Sequence, residues 1–146
     1  LKINNLFYGP GKTTLNHGEL ITHVEIPKKE GIYGSFLKLG QRKSLRIAKV
    51  SLAMTLSFEE DVVQNIRIAL GAVGPTVFRA FRTEALLEGQ RLQADLIRRA
   101  QNEILEECIP ISDIRSTAGY RRLMVPVLLE RMLFDEIMAQ KRKAQP

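Results

Sequence analysis

Two glycines, a lysine and two threonines stand together near the start of the chain, in the stretch Gly9-Pro10-Gly11-Lys12-Thr13-Thr14. Gly-Lys-Thr ahead of a helix closes a phosphate-binding loop, where backbone amides and the lysine cradle a nucleotide. That loop needs an earlier glycine at the position Leu6 occupies, a buried strand before it and a helix after it. Here Asn16-His17-Gly18 breaks the following segment, and Leu20 to Ile26 reads as a strand that stops at Pro27. No helix N-terminus is left to hold an anion. The stretch is a glycine- and proline-punctuated turn leading to a strand.

Other reactive residue types are sparse. His17 and His23 have no carboxylate or cysteine partner at ligand spacing, so no metal site is assigned. Cys108 is the single cysteine; it can form no internal disulfide and reads as a buried thiol near a helix end. Glu59-Glu60-Asp61 is a solvated turn rather than an acid pair. Gly34-Ser35 lacks the nucleophile-elbow pattern. The 22 basic residues outweigh 16 acidic ones, for a net charge of +6. The basic residues are mixed with acids, however, and their densest cluster, Lys141-Arg142-Lys143, lies in a polar tail. With no tryptophan and no basic-aromatic interleaving, a nucleic-acid platform is disfavoured. No apolar run is long enough to cross a bilayer and no secretion signal is evident, so a reducing, cytoplasmic setting is expected.

The elements that must carry any site can be read from periodicity. Tyr33 to Gln41 is extended, and Arg42-Lys43-Ser44 punctuates it. Val50, Leu52, Met54, Leu56 and Phe58 alternate with Lys49, Ser51, Ala53, Thr55 and Ser57, the period of a half-buried strand. After the acidic turn, Val62, Gln64, Ile66, Ile68 and Leu70 alternate with Val63, Asn65, Arg67 and Ala69, which predicts an antiparallel hairpin. The small residues Ser51, Ala53, Ser57 and Ala69 on the polar face suggest close approach by another layer or by solvent. Three helices follow. The first runs from Phe78 to Leu87 with Gly89 as its stop. The second, over 94–107, buries Leu96, Ile97, Ala100, Ile104 and Leu105, and Pro110 ends it. The third, over 118–143, is capped by Ser116 or Thr117, kinked at Pro126, and pairs Arg131 with Asp135 in a largely buried stretch. Strands followed by helices predict α+β, an antiparallel sheet covered on one face by three C-terminal helices. On residue patterns alone, this is an α+β interaction or assembly module.

Four stretches in order resemble one family. "FYGPGKTTLNHGELITHVEIP", "FLKLGQRKSLRIAKVSLAM", "IRIALGAVGPTVFRAFRTEALLEG" and "DIRSTAGYRRLMVPVLLERML" are similar to the C-terminal portion of the FAD-binding (medium) subunit of molybdenum hydroxylases, the xanthine dehydrogenase and carbon monoxide dehydrogenase type. The last departs from the family's order at Ser116-Thr117-Ala118-Gly119. The resemblance implies an oxidoreductase role, in which electrons pass from iron–sulfur clusters through FAD to NAD or another acceptor. It implies that residues 1–30 end the second FAD subdomain as a strand-rich remnant, that 31–140 form the flavoprotein C-terminal domain and that 141–146 are a tail. The two glycine-rich loops that cradle FAD phosphates in this family do not occur here. The implied cofactor is therefore FAD shared with an N-terminal half of the subunit, and this piece alone should bind it poorly. Molybdopterin and iron–sulfur clusters would sit in partner subunits.

Two positions carry over as flavin contacts. Ile21, with Leu20 as its one-residue alternative, resembles a family residue that packs on the isoalloxazine; otherwise it is a core aliphatic. Lys38 resembles the family lysine near the flavin ring; otherwise it is a surface lysine. Tyr120, Arg121 and Arg122 are assigned to packing and salt links, and no catalytic residue is assigned to this chain. Cover of the face bearing Leu20, Ile21 and Lys38 by the chain's own helices would favour an interaction module without a flavin role.

Overall fold

The computed structural model describes residues 1–41 and 47–144; the expected break at Arg42-Lys43-Ser44 lies outside them. After a single helical turn over Ile3–Asn5, β1 (Phe7–Gly9) and β2 (Lys12–Thr13) form a small hairpin. Pro10 and Gly11 make its turn, with Gly11 at φ 66°, where proline presets one corner and glycine tolerates the other. Gly11-Lys12-Thr13 thus leads into a strand, as the lack of a helix start requires.

The main sheet is antiparallel, in the order β3 (Tyr33–Leu39), β4 (Val50–Glu59), β5 (Val62–Gly71), β6 (Phe78–Arg79). Glu60 and Asp61, both at positive φ, close the β4–β5 hairpin as a two-residue turn that matches strand twist. Val50, Leu52, Met54 and Leu56 of β4 are buried, as the alternation requires. On β5 the buried set is Val63, Ile66, Ile68 and Leu70, so Val63 rather than Val62 faces the core. The reason is a bulge: β5 spends one more residue than β4 between the pairs Thr55↔Arg67 and Ser57↔Gln64, with Asn65 at φ 54°. One extra residue flips the alternation downstream.

The helices are α1 (Phe81–Leu87), α2 (Ala94–Glu107), α3 (Ala118–Arg131) and α4 (Met138–Ala144), with a wider π-type segment over Met132–Ile137 joining the last two. They lie on one face of the sheet, where Leu96, Ile97, Ala100 and Ile104 of α2 and Val125, Leu128 and Leu129 of α3 complete the core. Each such aliphatic side chain, fully buried, contributes about 1.5–3 kcal/mol. The first helix starts later than its sequence suggests, because Phe78 and Arg79 pair with Leu70 and Ala69 as β6. Thr117 caps α3, its hydroxyl accepting from the Tyr120 amide at 3.2 Å. The helix runs through Pro126; its change of hydrogen-bonding type comes later, at Met132. Arg131 and Asp135 do approach to 3.8 Å, but on an exposed surface rather than a buried one, where such a pair is worth little.

The edge strand β3 is latched to the end of the chain. The Gln140 amide side chain donates to Gly34 O at 3.0 Å and accepts from Gly34 N at 3.3 Å, and the Ser35 hydroxyl donates to Glu136 at 3.1 Å.

The expected strand over 20–26 does not form: residues 19–29 carry no regular structure. An extended segment needs a neighbour for its amides and carbonyls, and no hydrogen bond or ion pair among the described residues ties 1–30 to the rest.

Candidate functional site

The sheet face opposite the helices is open, and β3, β4 and β5 set its rows. Lys38, Ser51 and Gly71 stand opposite one another, and Phe36, Ala53 and Ala69 form the next row. Lys38 points outward on the exposed side of β3 and makes no ion pair among the described residues. Phe36, two residues earlier on the same side, is 60 % exposed. The centre of the face carries the small residues Ser51, Ala53 and Ala69, and Gly71 beside Ser51 is buried.

At Gly71 the floor is tight. A Cβ there would fall 2.5 Å from the Ser51 hydroxyl oxygen and 3.7 Å from Val77 Cγ2. Only glycine lets the Ser51 side chain lie over β5.

The end of the sheet that holds Lys38 is fastened to α3 by Arg121. This arginine is 4 % exposed; its Nη1 donates to Ala72 O at 2.6 Å, and Nη2 lies 2.6 Å from Asp113 Oδ1. Ala72 sits at φ 63°, directly after Gly71, so the guanidinium holds a strained residue in place. Asp113 also accepts from the amides of Arg115 at 2.8 Å and Ser116 at 3.0 Å. The Arg121 guanidinium first, then the Arg115 amide, hold the Asp113 carboxyl below the usual carboxylate range. Lys49 lies over the Tyr120 ring at 5.1 Å, and Arg122 pairs with Glu106 at 3.0 Å. The assignment of Tyr120, Arg121 and Arg122 to structure agrees with these contacts.

The opposite edge of the sheet is finished by carboxylates, which sequence reading missed. Glu84 accepts from the buried Ile68 amide at 2.8 Å and from Arg79 Nε at 2.9 Å, and a second Arg79–Glu84 contact completes the fork. One turn later, Glu88 accepts from the amides of Asn65 at 2.8 Å and Ile66 at 2.9 Å. These side chains stand in for the neighbour that short β6 does not supply. Glu107 of α2 accepts from the amides of Arg82 at 3.0 Å and Thr83 at 2.9 Å, capping α1 from outside. A shallow depression lined by Asn65, Arg67, Phe81, Glu84 and Glu88 lies here, its carboxylates already engaged. The spacing Arg79-x4-Glu84-x3-Glu88 is the signal that could have exposed this edge.

Leu20 and Ile21 fall in the irregular segment, 82 % and 49 % exposed, so neither is a core aliphatic within this chain. The structure does not join them to Lys38 through a sheet. No helix covers Lys38. His17 and His23 are also exposed, and no cluster of His, Cys, Asp and Glu suited to a metal occurs among the described residues. Cys108 is buried at the end of α2, its thiol donating to Ile104 O at 3.1 Å. Burial foremost, then the Glu107 charge, push that thiol up to about 11. No described helix is long and apolar enough to cross a membrane.

A four-stranded antiparallel sheet with helices on one face and small side chains at the centre of the other defines a two-layer α+β domain. Residues 35–135 match the model of the CO dehydrogenase flavoprotein C-terminal domain, and the chain belongs to that family. It is 32 % identical over 128 residues to the glyceraldehyde dehydrogenase medium chain of Sulfolobus acidocaldarius, covering 88 % of this chain and 45 % of that one. It is 22 % identical over 145 residues to the xanthine dehydrogenase FAD-binding subunit of Escherichia coli O157:H7, covering 98 % and 50 %. Among solved structures, carbon monoxide dehydrogenase from Hydrogenophaga pseudoflava superposes with a TM-score of 0.85 at 28 % identity, over 93 % of this chain and 47 % of that one. The chain spans about half the length of the relatives it matches.

Proposed function

We propose that this chain is the C-terminal portion of the FAD-binding subunit of a molybdenum hydroxylase, an oxidoreductase in which FAD relays electrons from iron–sulfur clusters to NAD or another acceptor. Membership of the flavoprotein C-terminal domain family supports the reading. The single structural observation that carries it is the open sheet face with Lys38, exposed and without an ion pair among the described residues, at its border. Residues 31–140 form the flavoprotein C-terminal domain in this reading, 141–146 its tail, and 1–30 the end of the preceding FAD-binding subdomain. The partners are the N-terminal half of the flavin subunit, a molybdopterin subunit and an iron–sulfur subunit, in the cytoplasm.

The residues present fit a flavin ring. The small side chains of Ser51, Ala53 and Ala69 leave the centre of the face low enough for a planar group to lie against the strands, and buried Gly71 gives its space to the Ser51 hydroxyl. When bound, FAD supplies two-electron redox chemistry. Lys38 offers a positive charge at the ring's edge and stabilises negative charge there. Ile21, or Leu20 beside it, shields a ring face from water once residues 1–30 are docked. Arg121, through Ala72, keeps the β5 end of the floor in register with Lys38.

Co-purifying the chain with the polypeptide that supplies the other half of the subunit, and recording a visible spectrum, tests the reading. A flavin spectrum is expected. A folded pair that carries no FAD refutes the proposal. Cover by the chain's own helices would favour an interaction module with no flavin role; Lys38 lies on the other side of the sheet from them, and Leu20 and Ile21 share no sheet with it.

A further inference from the structure

The flavin reading gives a task to Lys38 and leaves the hydroxyl beside it unexplained. The sheet's other serines use theirs inside the fold: Ser35 donates to Glu136 and Ser57 to Gln64 O. Ser51 makes no such bond among the described residues, although it is partly buried and sits in mid-sheet. It stands directly opposite Lys38 on the open face, where side chains of adjacent strands lie about 5 Å apart. Its other neighbour is Gly71, where a Cβ would come within 2.5 Å of the hydroxyl oxygen. The glycine thus makes room for the hydroxyl to lie across β5, at the level of the floor. A serine with no hydrogen-bond partner among the described residues, accommodated by a glycine and set next to a lysine with no ion pair among them, is a two-point anchor.

We infer that Ser51 is a cofactor-binding residue: its hydroxyl donates a hydrogen bond to a carbonyl-bearing edge of the flavin ring, the same edge that Lys38 faces. The inference rests on the flavin reading above. A hydrogen bond to an oxygen that gains negative charge is stronger than one to a neutral oxygen, so Ser51 favours the reduced ring over the oxidised one.

The test uses the flavin-loaded complex containing this chain, with Ser51→Ala, Ser51→Thr and Lys38→Met compared for FAD retention on dilution and for the flavin's two-electron potential. Ser51→Ala removes the donor from a partly exposed site and leaves the core untouched. It is expected to weaken retention of reduced flavin about fivefold more than that of oxidised flavin, the difference between a charged and a neutral acceptor. At about 30 mV per tenfold change for a two-electron couple, the potential falls by about 20 mV. Ser51→Thr keeps the hydroxyl and is expected to retain the native potential. Ser51→Ala with native retention and potential, while Lys38→Met is shifted, overturns the inference and leaves the flavin reading standing. Equal shifts in Ser51→Ala and Ser51→Thr overturn it too, because shape and not the hydroxyl would then be responsible. Native behaviour in all three variants overturns the inference together with the placement of the ring at Lys38.

Discussion

Replacing Glu84 with alanine removes the acceptor that finishes the β5 edge, and the structure sets what that costs. The Ile68 amide is buried, and its partner at 2.8 Å is the Glu84 carboxylate. A buried donor left unsatisfied costs about 1–3 kcal/mol. The Arg79–Glu84 pair adds less, since the Arg79 side chain is 30 % exposed and water rescues part of its charge; about 0.5 kcal/mol is a fair share. The total is about 1.5–3.5 kcal/mol, which for a domain of this size lowers the melting temperature by about 5–12 °C. Glu84→Gln keeps an acceptor for the Ile68 amide and should lose less than half as much. Glu88→Ala should cost about 1 kcal/mol, because Asn65, one of its two donors, is exposed to water. Urea unfolding of the three variants, read by far-UV circular dichroism, gives the ranking. A Glu84→Ala variant within 0.5 kcal/mol of the parent, about the noise of a surface substitution, would refute the edge-capping argument, as would a larger loss from Glu88→Ala.

Two further outcomes follow from the titrating groups. Cys108, buried and with its thiol raised to about 11, should resist iodoacetamide at neutral pH in the folded protein and react once urea unfolds it; rapid native labelling would contradict its burial. Asp113 is held below its ordinary value, so its share of stability is present above the unfolded carboxylate pKa of about 4 and is lost as pH falls through the lower folded value. Asp113→Asn should therefore flatten the acid limb of stability below about pH 4 relative to the parent; urea midpoints at pH 6, 4 and 3 that decline in parallel for both proteins would exclude this.

The elements that were legible in advance are those whose periodicity is strong. Strand β4 and helix α2 declare themselves by spacing alone, and the α3 cap is narrowed to Ser116 or Thr117, of which the structure uses Thr117. The bulge at Asn65 left no such trace, because Val62 and Val63 are both apolar and either could face inward. Leu20 to Ile26 has the composition of a strand, but strand formation is decided by a partner, and none is hydrogen-bonded to it. At the site, the small residues along β4 and β5 signalled close approach, whereas the pairing of Ser51 with Lys38 and Gly71 required the register of three strands. Lys38 was reached through resemblance, since an isolated lysine carries no pattern of its own. The carboxylates of Glu84, Glu88 and Glu107 have no role in the sequence reading, and only the geometry of the β5 edge and the start of α1 gives them work.

The latch on β3 imposes an order of events during synthesis. Gly34 is held by a residue 106 positions later and Ser35 by one 101 positions later. At about 5–20 residues per second, a ribosome needs roughly 5–20 s to cover that interval. Throughout it the strand bearing Lys38 is a sheet margin without its clasp, and contacts so distant along the chain form slowly. The strand therefore gains this clasp only once residues 136–140 have been synthesised.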